Sequence, residues 1–109
     1  MMEESLVGQL SGYLYGEFGS SHYVPIWQSF VGPVMISCCI YVNPINDLKP
    51  FSLRILVNHE PLASVHANQS FSFTISDVHG IGVIGVGQEA GFYSGKYCLV
   101  LHGLNGEHE

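Results

Sequence analysis

Apolar and polar side chains alternate with period two over most of this chain, the signature of strands with one covered and one wet face. In Phe71-Ser-Phe-Thr-Ile-Ser76, the residues Phe71, Phe73 and Ile75 fall on the core side, and Ser70, Ser72, Thr74 and Ser76 on the other. In Gly95-Lys-Tyr-Cys-Leu-Val-Leu101, the residues Tyr97, Leu99 and Leu101 share one face while Cys98 and Val100 share the opposite one, so both faces are expected to be covered. Phe51–Val57 and Leu62–His66, separated by Asn58-His-Glu-Pro61, read as a hairpin, and Ala67-Asn-Gln69 turns the chain into the Phe71 strand. Upstream, Tyr23–Phe30 is strand-like with Pro25 near an edge, Val31-Gly-Pro33 turns, and Val34–Val42 is a continuous apolar run, expected to be buried on both faces. Asn43–Pro50, with its prolines and Asx residues, reads as an end loop. Gly80–Gly87 alternates too loosely with glycine to be expected as a stiff central strand.

The first 22 residues are a different material. Leu6, Gly8, Leu10, Gly12, Leu14, Gly16 and Phe18 fall on one face of an extended strand, so that face alternates a large apolar knob with a glycine. A helix is disfavoured, because three interior glycines cost about 1 kcal/mol each relative to alanine. A solitary strand followed by Gly19-Ser-Ser21 needs a partner sheet. The expectation is an extended N-terminal arm over residues 1–22 that adds to a neighbouring copy, ahead of a β-sandwich over residues 23–109. Deleting the arm should then leave a folded sandwich. The alternatives are a disordered tail, or the first strand of the chain's own sandwich.

About eight strands and no convincing helix make an all-β sandwich or jelly roll the expected class, with immunoglobulin-like topologies left open by period counting alone. The order of the pieces resembles the pilin family of bacterial endospore appendages (Ena), spore-surface fibres built from small jelly-roll subunits. The resemblance is carried by Leu53-Arg-Ile-Leu-Val57, Asn68-Gln-Ser-Phe-Ser-Phe-Thr-Ile75, Ile81 to Val83, and Gly91-Phe-Tyr-Ser-Gly-Lys-Tyr-Cys98 with Leu99. It implies a jelly roll, self-assembly into a fibre, other spore-surface or appendage proteins as partners at a fibre base or tip, and synthesis in the mother cell without a signal peptide. It further implies that a cysteine at the position of Cys98 accepts disulfides from cysteines in another subunit's N-terminal connector. The arm of this chain has no cysteine before Cys38, so assembly is expected not to depend on such staples.

Composition changes the picture in one direction. A chain of 109 residues can bury a single core without disulfides or metal. With 47% hydrophobic and only 11% charged residues, some apolar surface is expected to be covered by other copies of the chain. A net charge of -6 disfavours nucleic acid and anionic membrane surfaces, which are recognised through clustered cations. Neither a signal-like N-terminus nor a long apolar span is present in the sequence.

Candidate chemistry is sparse. Cys38, Cys39 and Cys98 lack Cys-x-x-Cys spacing, which argues against zinc or dithiol redox motifs. A buried thiol is the favoured reading of Cys98, with pairing to Cys38 or Cys39 as the alternative. His22, His59, His66, His79, His102 and His108 are scattered, with no His-x-His, so no metal, cofactor or catalytic set is expected. The residues expected in the core are Phe71, Phe73, Ile75, Tyr97 and Leu99. Beside the fibre subunit stands a second reading, a small ligand- or glycan-binding sandwich using Tyr13, Tyr15, Tyr23 or Trp27.

Overall fold

A computed structural model describes residues 8–29, 32–44 and 50–102. Its strands are β1 (Gly8–Phe18), β2 (Tyr23–Gln28), β3 (Val34–Val42), β4 (Phe51–Val57), β5 (Glu60–His66), β6 (Gln69–Val78), β7 (Gly80–Gly87) and β8 (Gly91–His102). Among the described residues there is no helix, so the chain is all-β as the alternation requires. The strands hydrogen-bond in the order β5-β4-β7-β1-β8-β3-β6, with β2 on the other side of β7. The β7–β1 link is a single parallel bridge, Phe18↔Gly85. Opened there, the array is two four-stranded antiparallel sheets, β1-β8-β3-β6 and β2-β7-β4-β5, the double-sheet winding of a jelly roll.

The N-terminal pattern finds its partner inside the same chain. Every residue of β1 pairs with β8, from Gly8↔Leu101 to Phe18↔Gly91. The glycines between the knobs admit aromatic rings from β8: a Cβ on Gly16 would lie 2.6 Å from the Tyr93 hydroxyl, and one on Gly12 2.7 Å from that of Tyr97. Leu14 and Phe18 are buried in the core, whereas Leu10 is 45% exposed. The expected free arm is therefore corrected for Gly8–Phe18, which form the first strand of the chain's own sandwich. Removing residues 1–22 would take a whole strand and Phe18 out of the sheet, so a folded remainder is no longer the expected product. Leu6 lies outside the described residues.

Phe18 sits where the two sheets meet, its ring stacked 4.5 Å from Phe51, which in turn lies 6.3 Å from Tyr93. Around this stack the core takes Ile36, Ile40 and Val42 from β3, Leu53 and Ile55 from β4, Ile81 and Val83 from β7, and Leu99 from β8. Three further expectations change. β3 alternates burial along its length, so it has one covered face and not two; its outward side carries Ser37, Cys39 and Tyr41. β7 is central, between β2 and β4, despite its glycines. The Tyr23 ring over Gly82 and the Phe18 backbone against Gly85 occupy the space that side chains there would fill. Leu99 is fully buried as expected, but Phe71, Phe73, Ile75 and Tyr97 are half-buried, packed on the margin of the core. For the three on β6 the reason is position: β6 ends the sheet and has β3 on one side only.

Turns follow the strand chemistry. Asn58 and His59 both have positive φ (54° and 65°), the two-residue primed turn that matches strand twist. Asn58 also ties this turn to the next one, because its Oδ1 accepts from the backbone N–H of His79 at 2.7 Å and of Gly80 at 3.2 Å.

Burial sets the order of mutational cost. Phe18→Ala should destabilise by about 3–5 kcal/mol, as loss of a buried ring leaves a cavity, and Phe73→Ala by less, because its ring already meets solvent. Urea melts of the two variants check this; an equal or larger loss at Phe73 would contradict the assigned core.

Candidate assembly surfaces

Four strands end the two sheets, and their outer backbone edges differ in how well they are protected against another strand. β5 opens with Glu60-Pro61, and β2 carries Pro25 followed by a register shift before Trp27. Proline, charge and bulges are the usual devices that stop edge-to-edge pairing. β1 carries three glycines and Glu17, and its far end is occupied by the bridge to β7. β6 has neither proline nor charge from Gln69 to Ser76, and only at its far end does its pairing with β3 shift register, between Ile75 and Val78, where its first charge, Asp77, stands. It presents the most pairing-competent open edge among the described residues.

The outer face of the β1–β8 pair is aromatic. Tyr13, Tyr15 and Phe92 are 85%, 71% and 63% exposed, with the Tyr15 and Phe92 rings stacked at 6.4 Å. Tyr13 and Tyr15 were legible from alternation; Phe92 was not, because alternation marks the last strand only from Gly95, whereas β8 begins at Gly91. An open depression of about 780 Å³ brings Tyr15, Phe92 and Tyr23 together with Glu17 and His22. Trp27 does not join it and packs against the core.

The cysteines separate by face. Cys38 points inward and is 3% exposed, and burial, with Cys39 and Cys98 nearby, pushes its thiol up to about 12. Cys39 is exposed and Cys98 half-exposed, so the buried thiol expected at Cys98 is instead at Cys38. Gln9 Nε2 donates to Cys98 Sγ at 3.8 Å. Among the described residues no three His, Cys, Asp or Glu side chains gather as a metal site: His59 packs its ring 5.0 Å from Tyr23, while His102 Nε2 lies 2.8 Å from Ser37 Oγ on the opposite sheet. Tyr93 carries a buried hydroxyl without a hydrogen-bond partner, and burial pushes it up to about 12.

A family model described as endospore appendages (Enas) matches residues 10–103. The chain belongs to the endospore appendage family. The matched stretch starts inside β1 and ends just beyond β8, so the family domain includes the strand first read as an arm. Among solved structures, the chain is similar to one described as "Bacillus endospore appendages form a novel family of disulfide-linked pili", with a TM-score of 0.56 and 12% identity over 87% of this chain and 85% of that one. That likeness is one of fold. No curated protein matches the chain. Membership in the endospore appendage family supports a pilus-type structural subunit, with self-assembly into fibres and a place on the spore surface as its coarse implications.

In this appendage-family chain, burial also raises Tyr23, but alkali should act chiefly through two more deeply buried groups. Cys38 and Tyr93 are both held above their ordinary values of 9.0 and 10.0, so folding favours their protonated forms. Their contribution is fully present below about pH 9 and is lost as pH rises toward 12. Thermal midpoints measured from pH 7 to 12 should fall across that window. Tyr93→Phe removes the orphaned hydroxyl and should hold or raise stability at neutral pH by about 1 kcal/mol, while flattening the decline above pH 10. A loss of stability at neutral pH would mean that the hydroxyl is bonded.

Proposed function

We propose that this chain is the repeating structural subunit of an endospore appendage, and that neighbouring copies join non-covalently by strand addition at the open edge of β6. The observation that carries this reading is the contrast among the sheet edges: β6 alone among the four combines length with freedom from proline, glycine and charge over Gln69–Ser76. Its N–H and C=O groups on that side can be satisfied by an extended segment of the next copy, which adds main-chain hydrogen bonds without sequence-specific pockets. A contact of this kind is head-to-tail, and when its rotation does not close it propagates as a filament.

The connector role expected for residues 1–22 narrows to the residues ahead of β1. Seven residues, including Leu6, precede Gly8. Extended, they span about 23–25 Å, enough to lie along most of β6. The sparse charge of the chain and its exposed Tyr13, Tyr15 and Phe92 then supply apolar surface for copies to cover. A small-ligand reading has one observation in its favour, the depression holding Tyr15, Tyr23 and Phe92.

Negative-stain microscopy decides between them. The parent chain should form filaments. Ser72→Lys with Ser76→Lys, which puts edge charges on the wet face of β6, should give a folded chain that stays dispersed, and deletion of residues 1–7 should do the same. Filaments of unchanged diameter from both variants would overturn the proposal. Loss with the lysine pair but not with the deletion would assign the incoming strand to another edge. A dispersed parent that binds a glycan array would favour the second reading.

A further inference from the structure

The register between β3 and β8 places Cys39 directly opposite Cys98. One step beyond the Val42↔Gly95 pair, the Asn43 N–H donates to the Ser94 carbonyl at 2.9 Å, which marks 43/94 as a hydrogen-bonded pair. Hydrogen-bonded and non-hydrogen-bonded pairs alternate along an antiparallel ladder. Counting back by twos, Tyr41/Lys96 and Cys39/Cys98 are also hydrogen-bonded pairs. Their Cα atoms are then about 5.5 Å apart, within the range of about 4.4–6.8 Å that disulfides span, and closing the bond must draw the two Cβ atoms in to about 3.5–4.5 Å. Both side chains stand on the outer face, flanked across the sheet by the small residues Ser11 and Ser72. A shallow depression of about 460 Å³, bordered by Ser37, Thr74 and Val100, opens onto the pair. Cys38 points the other way, into the core beside Leu99 and Phe73.

We infer that Cys39 and Cys98 form an intrachain oxidation site, closed to a β3–β8 disulfide by a low-molecular-mass disulfide. The exposed Cys39 thiolate attacks one sulfur of the small disulfide, forming a mixed disulfide and expelling one small thiolate. Cys98 then attacks the Cys39 sulfur and expels the second. The two cysteines lose two electrons and two protons, and the small disulfide is reduced to two thiols. The product fastens the two middle strands of the β1-β8-β3-β6 sheet and removes both solvent-facing thiols from exchange between chains. The inference does not depend on the fibre reading.

The test uses the full chain, reduced and then incubated with glutathione disulfide, quenched with maleimide and weighed by mass spectrometry under denaturing conditions. Wild type and Cys38→Ala should each become lighter by two hydrogen atoms before labelling and run as single chains on a non-reducing gel. Cys39→Ser and Cys98→Ser should stop at the mixed disulfide. In oxidised wild type, maleimide should label no thiol before unfolding and one, Cys38, after it. Oxidation should raise the thermal midpoint by about 10 °C. The inference fails if Cys39→Ser still closes an intrachain bond, if wild type stops at the mixed disulfide, or if the main product is a disulfide between chains.

Discussion

The structure depends on the pairing of β1 with β8 along all 11 residues of β1. Two features make that pairing specific. Tyr93 and Tyr97 lie across Gly16 and Gly12, where any side chain on the glycine would displace a ring. Phe18 then ends the strand in the stack with Phe51 at the seam of the two sheets. A one-residue slip would turn Leu14 and Phe18 out of the core and Tyr13 and Tyr15 into it, so the register is fixed by burial as well as by hydrogen bonds. The N-terminal strand is consequently part of the domain, and the surfaces left for assembly are sheet edges and outer faces.

That constraint explains why the chain suits a structural role. Its buried volume is spent on joining two sheets, and its titratable side chains are spread over both of them without a converging set among the described residues. What the sandwich offers to the outside is backbone and aromatic surface: the unguarded β6 edge and the Tyr13, Tyr15 and Phe92 patch. Both are general-purpose means of self-association, and neither requires a bound group. The outward thiols of Cys39 and Cys98 add a covalent option that acts within one chain.

Much of the fold was legible in the sequence because alternation is a local property. The strands around Phe51, Phe71 and Leu99 stood out, and the order of four blocks between Leu53 and Leu99 carried the family resemblance. Pairing is not local, and the misreadings share that cause. The knob-and-glycine pattern of residues 6–18 announced a close partner, but the partner, Tyr93 and Tyr97 on β8, is some 80 positions away in the sequence. β7 looked too glycine-rich for the middle of a sheet because the Tyr23 ring and Phe18 backbone that fill its gaps come from other strands. The half-burial of Phe71 and Phe73 reflects β6 as an edge, which no pattern within β6 reveals. Cys39 and Cys98 are a pair only in the β3–β8 register, and spacing arguments for cysteines look along the chain and not across it.

Amide hydrogen exchange, compared between dispersed chain and assembled filaments, tests the central claim most directly. In the dispersed chain, β1 amides should already be protected by β8, and outward-facing amides of β6 should exchange freely. On assembly the β6 amides should become protected while β1 changes little. Protection gained at β1 with β6 still exchanging would contradict the account, since it would mean that the N-terminal strand finds its partner only in a neighbouring copy.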